Sequence, residues 1–162
     1  MRRVRATLFG ACVLVAEDEC IIAMDLADTF ESAGATVIGP AATVREALSL
    51  LATKPVDRAF LDFNLADGEV TPVMEMLSSK GVPTVIYTGR GLPPELAYRH
   101  PHVTVLRKPE SQRRLVTELA AARGKVLPEC DRHGSGPPLC GNEVARIDNL
   151  CPQSMKHTVS TI

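Results

Sequence analysis

Acidic side chains stand at two places where an apolar segment of the chain ends. Glu17, Asp18 and Glu19 follow the apolar run "CVLVA", and Asp62 lies in "FLDFNL". If these two segments are neighbouring strands, Glu17, Asp18 and Asp62 converge and raise one another's pKa unless a divalent cation binds them. Few oxygen ligands with room for water suit Mg²⁺. The sequence therefore predicts a magnesium site, with Glu19 outside it in the first turn of a helix.

Two further apolar segments end in groups that could hold phosphate. Thr88 closes "TVIYT", and Lys108 follows "VTVLR" and precedes Pro109. A metal, a carboxylate nucleophile, a hydroxyl donor and an ammonium are the parts that phosphoryl transfer requires. Together with Asp62, these residues predict one site for phosphoryl chemistry.

The elements that must position these groups follow an alternating pattern. Five short apolar runs typical of buried strands are separated by segments with helical periodicity, and the runs are "CVLVA", "ATVI", "RAFLDF", "TVIYT" and "VTVL". This alternation predicts an α/β fold, a doubly wound five-stranded parallel sheet with helices on both faces. Ligands of such sheets bind beyond the carboxyl ends of the strands, where the acids and Lys108 lie.

Helix boundaries have signals of their own. Thr43 with Glu46 predicts a capping box, and Thr71 followed by Pro72 predicts an N-cap and a first helical residue. The segment "GLPPELAYRHP" contains three prolines, so we expect its helix to be short or irregular.

Composition narrows the function classes. The chain has 162 residues, 45% hydrophobic and 23% charged, with a net charge of -1 and no Trp. These values fit one globular domain and offer no basic field for direct binding of nucleic acid or a membrane surface. No apolar run has the ~20 residues of a membrane span. The five cysteines, an odd number, favour a reducing compartment, and we expect a cytoplasmic protein.

Three regions are expected along the chain. Residues 1–11 are interpreted as a basic leader before a buried strand rather than a secretory signal, and residues 12–123 as the folded domain. Residues 124–162 lack periodicity and are rich in Pro and Gly, which predicts a largely disordered C-terminal tail. An alternative for this tail is a zinc site formed by Cys130, His133, Cys140 and Cys151, which are residue types that bind zinc. Only Cys130 and His133 are closely spaced.

In this order and at these strand ends, the motifs resemble the receiver domain of two-component response regulators. The resemblance covers about residues 12–123 and implies the flavodoxin-like strand order 2-1-3-4-5. It implies that Asp62 accepts a phosphoryl group from a sensor histidine kinase or a phosphotransfer protein. It further implies that Asp18 binds Mg²⁺ directly, Glu17 through water, and Asn64 through its backbone carbonyl.

The resemblance also assigns the remaining site residues. Thr88 hydrogen-bonds a phosphoryl oxygen in the active form, and Lys108 pairs with the phosphoryl group, with its bond to Pro109 usually cis. An aromatic residue common in the family is absent at Val105 and after the Lys-Pro pair, and the residue before Thr88 is the bulky Tyr87. We therefore expect activation to alter residues 89–100 and a partner to read a switch face that contains Tyr87, Gly89, Arg90 and Val105.

The resemblance implies a single-domain response regulator that signals by binding a downstream protein, as a monomer or weak dimer. It is not expected to be an enzyme beyond slow self-dephosphorylation. One alternative is a phosphatase or phosphotransferase that forms a phospho-aspartate. Such enzymes commonly have a second acid two residues after the nucleophile, and this chain has Asn64 at that position. Another alternative is a docking module that is never phosphorylated. The presence of the acid pair, Thr88 and Lys108 argues against this alternative.

Overall fold

The sheet contains five parallel strands in a computed structural model that describes residues 8–124. In chain order the strands are β1 (Cys12–Ala16), β2 (Thr36–Ala41), β3 (Arg58–Asp62), β4 (Thr84–Thr88) and β5 (Thr104–Arg107). The helices between and after them are α1 (Cys20–Ser32), α2 (Val44–Thr53), α3 (Thr71–Ser79), α4 (Pro94–Arg99) and α5 (Gln112–Ala121).

Strand order confirms the predicted fold class and topology. The sheet runs β2-β1-β3-β4-β5, and every neighbouring pair is parallel. The carboxyl ends of β1, β3, β4 and β5 consequently meet at one edge. A doubly wound α/β fold of the flavodoxin-like order is therefore the architecture of the described residues.

Each face of the sheet packs against its own apolar layer, because side chains alternate along a strand. One layer includes Leu14, Leu61 and Ile86 with residues of α2 and α3. The other includes Phe60 and Val85 with residues of α1 and α5. Both layers are almost wholly removed from solvent, and each such side chain stabilises the fold by about 1.5–3 kcal/mol.

The second strand is longer than "ATVI" and contains an irregularity. Its Gly39–Pro40 bond is cis, and its register against β1 shifts between Leu14 and Ala16. Gly39 has a φ of +104°, and a Cβ there would lie 2.7 Å from the carbonyl oxygen of Val15, so only glycine fits. The shift brings the carbonyl of Ala41 opposite the backbone N–H of Glu17.

Two predicted helix starts differ by one residue from the observed ones. Val70, not Thr71, is the N-cap of α3, so Pro72 is the second helical residue. Glu19 is the N-cap of α1 rather than a residue of its first turn, and its side chain makes no capping bond. Both shifts are within the fraying that helix ends commonly show.

The other boundary signals agree with the structure. The hydroxyl of Thr43 accepts a hydrogen bond from the backbone N–H of Glu46, although the Glu46 carboxylate accepts from Ala42 instead of from Thr43. The proline-broken helix α4 has only six residues.

Several predictions concern residues that the structure does not describe. The tail after residue 124, with the zinc alternative at Cys130, His133, Cys140 and Cys151, lies outside the described residues, as does most of the leader. From Leu8 onward the chain is described, and Leu8 packs in the α1 and α5 layer. Within residues 8–124, no helix has both the length and the apolar character that crossing a membrane requires.

Candidate functional site

Three carboxylates converge at the carboxyl edge of the sheet. Glu17 and Asp18 follow β1, and Asp62 is the last residue of β3, the strand that pairs directly with β1. One oxygen from each of the three side chains lies within 4.8 Å of the others. The structure therefore brings together the three acids that the sequence placed at strand ends.

Glu17 is the buried member of this acidic cluster of Glu17, Asp18 and Asp62. Its side chain is only 1% exposed, and its backbone N–H donates to the carbonyl of Ala41. Its Oε1 accepts from the N–H of Glu19 at 3.2 Å. Burial raises the pKa of Glu17, and the nearby Asp62 charge adds to this, while hydrogen bonds from Lys108 and Glu19 act in the opposite direction.

Lys108, which follows β5, contacts two of these acids, one after β1 and one at the end of β3. Its Nζ lies 2.8 Å from Oε2 of Glu17 and 2.6 Å from Oδ2 of Asp62. Burial lowers the pKa of Lys108, but the hydrogen bonds to Asp62 and Glu17 outweigh it, and the net pKa is raised. The lysine backbone N–H donates to the carbonyl of Thr88, and the bond to Pro109 is cis.

Asp62 remains partly open to solvent. Its side chain is 14% exposed, Oδ2 is paired with Lys108, and Oδ1 accepts from the backbone N–H of Asn64 at 3.3 Å. A carboxylate held from both sides and still reachable from outside has the geometry of a positioned nucleophile.

Asn64 begins a short hairpin that the sequence analysis did not predict. Strands Asn64–Leu65 and Gly68–Glu69 pair antiparallel directly after β3. Asp-Gly is a strong hairpin turn signal, so the dipeptide Asp67-Gly68 could have indicated it.

Asp67 attaches this hairpin to helix α2. Its carboxylate oxygens accept from the backbone N–H groups of Val44 at 2.6 Å and of Arg45 at 3.2 Å. The hydrogen bond from Val44 is the main reason that the pKa of Asp67 is lowered. The segment that carries Asn64 is thus anchored to the N-terminus of a helix.

The residues predicted to respond to phosphorylation occupy different environments. Thr88 is buried, and its Oγ1 accepts from the N–H of Arg90 at 3.3 Å. Gly89 and Arg90 are exposed, and Val105 is 38% exposed on β5. Tyr87 is only 7% exposed, in contrast to the other three residues predicted for the switch face, Gly89, Arg90 and Val105.

The donor set of the acidic cluster fits a hard divalent cation. All three side chains offer carboxylate oxygens, and Mg²⁺ binds in proteins through one or two carboxylates while keeping several waters. Asp18 is exposed and Asp62 is partly exposed, which leaves room for those waters.

Several solved structures match this chain. SdrG from Sphingomonas melonis Fr1 matches with a TM-score of 0.59 and 34% identity, over 69% of this chain and 94% of SdrG. A response regulator receiver protein from Sinorhizobium medicae WSM419 matches with a TM-score of 0.62 and 20% identity, over 72% of this chain and 96% of that one.

A longer protein also matches. A mutant of the anti-anti-sigma factor PhyR from Bartonella quintana matches 69% of this chain with a TM-score of 0.58 and 26% identity. The match spans only 48% of the PhyR chain. No protein-family model and no curated protein matches. The 34% identity to SdrG over nearly its whole length shows that the two chains belong to one family, and the match to a response regulator receiver protein shows that the fold is that of a receiver domain.

Proposed function

We propose that this response regulator accepts a phosphoryl group on Asp62 from a sensor histidine kinase or a phosphotransfer protein. The observation that supports this is the position of Lys108, whose ammonium contacts both Asp62 and the buried Glu17 at the edge of the sheet. A carboxylate paired with a fixed cation and flanked by two further acids suits transfer of a charged group between proteins.

The proposed step is a displacement at phosphorus. An oxygen of Asp62 forms a bond to the phosphorus of the donor phosphohistidine, and the phosphorus–nitrogen bond breaks with its electron pair leaving on the imidazole. The Lys108 ammonium stays beside the new acyl phosphate and offsets its negative charge. Mg²⁺ held by Asp18, Asp62, the Asn64 carbonyl and, through water, Glu17 would neutralise further charge on the transferring group.

Thr88 is the proposed sensor of the phosphoryl group. Its bond from Arg90 uses Oγ1 as an acceptor, so the hydroxyl proton can be donated to a phosphoryl oxygen. That new bond would draw on the segment that begins at Gly89. We propose that Gly89, Arg90 and Val105 lie on the face through which the phosphorylated protein binds its downstream partner, in the cytoplasm.

We do not propose that the chain is a turnover enzyme. Asn64, two residues after Asp62, has an amide side chain that does not titrate near neutral pH, so it cannot act as a general acid or base. Hydrolysis of the acyl phosphate is expected to be slow self-dephosphorylation. The anti-anti-sigma role in the name of the Bartonella protein belongs to a longer chain, of which this chain covers 48%, and it is not proposed for this protein.

The test is a time course with a small-molecule phosphodonor and Mg²⁺. We expect donor consumption to stop near one phosphoryl group per chain, apart from slow turnover that tracks self-dephosphorylation. Rapid consumption of many donor molecules per chain would instead support the phosphatase or phosphotransferase alternative.

A further inference from the structure

Tyr87 is a buried residue of β4 whose ring lies beside the ammonium of Lys108. It is the register partner of Asp62 in β3 and of Leu106 in β5, so its side chain shares a face with both. The adjacent Thr88 is also buried, and its hydroxyl oxygen accepts from the backbone N–H of Arg90. Two consecutive residues of β4 thus have different side-chain hydrogen-bond partners, Glu110 for Tyr87 and Arg90 for Thr88.

Three contacts hold the tyrosine side chain in place. Its hydroxyl oxygen accepts a hydrogen bond from the backbone N–H of Glu110 at 3.0 Å. Its ring centroid lies 5.3 Å from Nζ of Lys108 and 5.4 Å from the ring centroid of Phe60. A residue this well fixed can in turn fix what it contacts.

The connection from β5 to α5 is anchored on both sides of Pro109. Before the proline, the N–H of Lys108 donates to the carbonyl of Thr88, and after it the N–H of Glu110 donates to the Tyr87 hydroxyl. Pro109 has no N–H of its own to donate. The tyrosine hydroxyl is therefore the anchor on the α5 side of the lysine.

The ring of Tyr87 adds a contact at the reactive end of the lysine. The ammonium has the carboxylates of Glu17 and Asp62 within hydrogen-bond distance and the aromatic ring as a further neighbour. A cation within about 6 Å of a ring centroid is attracted to the ring.

We propose that Tyr87 is a positioning residue for Lys108, through its hydroxyl on the Glu110 backbone and its ring beside the ammonium. This role deepens the proposed function and rests on it, because the position of Lys108 matters to phosphoryl transfer only if Asp62 is phosphorylated. It is a different role from the predicted one on the switch face, and the 7% exposure of Tyr87 accords with it.

Tyr87→Phe tests the hydroxyl, and Tyr87→Leu removes the ring as well. The control is Tyr98→Phe, since the chain has two tyrosines and Tyr98 is 88% exposed on α4. The first readout is independent of phosphorylation: amide hydrogen exchange of Glu110, with the ¹⁵N signal of the Lys108 ammonium. We expect Tyr87→Phe to speed exchange at Glu110 by about tenfold, the loss of one buried hydrogen bond, and Tyr87→Leu to shift the ammonium signal as well.

The second readout separates rate from metal binding. With a small phosphodonor, we expect Tyr87→Phe to lower the maximal phosphorylation rate about threefold, a fraction of one hydrogen bond, while half-saturation by Mg²⁺ stays unchanged because the acidic cluster is intact. Equal loss of rate and Mg²⁺ affinity would indicate general loosening and overturn the proposal. Wild-type exchange and rate in Tyr87→Phe, as in Tyr98→Phe, would also overturn it.

Failure of the underlying function gives a different result. If the wild type is never labelled on Asp62, the proposed function fails, and the exchange and ammonium signals still decide whether Tyr87 holds the lysine. Unchanged signals in both Tyr87 variants then contradict the positioning role on its own terms.

Discussion

The ammonium of Lys108 lies 2.6 Å from Oδ2 of Asp62, so the carboxylate proposed to accept the phosphoryl group is already paired with a cation. The same ammonium contacts Glu17, whose side chain is almost wholly buried. An ionised carboxylate is costly to bury unless it is paired and hydrogen-bonded. One lysine therefore serves the stability of the fold and the chemistry of the site, and each role predicts a separate result.

Lys108→Met should destabilise the protein. The change leaves Glu17 buried without its cation, and we expect the free energy of unfolding to fall by about 2 kcal/mol, below the range for fully buried pairs because Lys108 is 22% exposed. Urea unfolding measures it, with the exposed Lys54→Met as control. Adding Glu17→Gln should recover part of the loss, because no buried charge then remains unpaired. A Lys108→Met protein as stable as the wild type would show that the pair contributes nothing.

Mg²⁺ should raise the melting temperature of the wild type. The cation relieves repulsion within the acidic cluster and binds only the folded arrangement. Asp18→Asn should stabilise the metal-free protein and remove most of the Mg²⁺ effect, whereas the exposed Asp28→Asn on α1 should change neither. Thermal melts with Mg²⁺ or with EDTA give the comparison. Wild-type melts that are indifferent to millimolar Mg²⁺ would argue against the site.

Asp67 should make stability depend on acid pH. The folded pKa of Asp67 is lowered from 3.8, so its charge stabilises the fold above that value, and this contribution is lost as pH falls through the folded pKa. Wild type should therefore exceed Asp67→Asn in stability at neutral pH, by a margin that shrinks as the pH falls from the ordinary value of 3.8 through the lowered folded pKa. Denaturant unfolding across this range is the measurement, and a margin that stays constant or grows on acidification would refute the assignment.

Thr88 should link the phosphoryl group to residues 89–100. Helix α4 has six residues, none of them buried, so the helix has fewer buried contacts to resist a change at Thr88 than the other helices, although His100 after it is buried. A phosphoryl mimic should alter amide exchange chiefly at 89–100, and Thr88→Ala should still be phosphorylated on Asp62 yet lose this response. The expectation fails if the largest changes centre on Val105 while 89–100 stay quiet, or if Thr88→Ala responds like the wild type.

Periodicity in the sequence was enough to predict the sheet and the residues at its carboxyl edge. Continuous apolar runs and the charged residues at their ends are local signals, and they indicated Glu17, Asp62 and Lys108. The strand order came from the family resemblance. From local patterns alone, the convergence of the acids depended on the assumption that β1 and β3 are neighbours.

Other features depended on contacts between distant segments, which periodicity does not encode. The backbone N–H of Glu17 bonds the carbonyl of Ala41 in β2 beyond the register shift, and the role proposed for Tyr87 rests on a hydroxyl that reaches the backbone of Glu110. Tyr87 carried a signal nonetheless, since a buried tyrosine needs a partner for its hydroxyl. The capping of α2 by Asp67 joins residues more than twenty positions apart.

Intact-mass measurement after incubation with a small phosphodonor tests the central claim most directly. With Mg²⁺, the wild type should gain the mass of one phosphoryl group, and Asp62→Asn should gain none while it melts cooperatively. EDTA should reduce labelling of the wild type to background, and fragmentation should locate the added mass on Asp62. A phosphoryl group that persists in Asp62→Asn, or a wild type that is never labelled with Mg²⁺ present, would contradict the proposal that Asp62 is the acceptor.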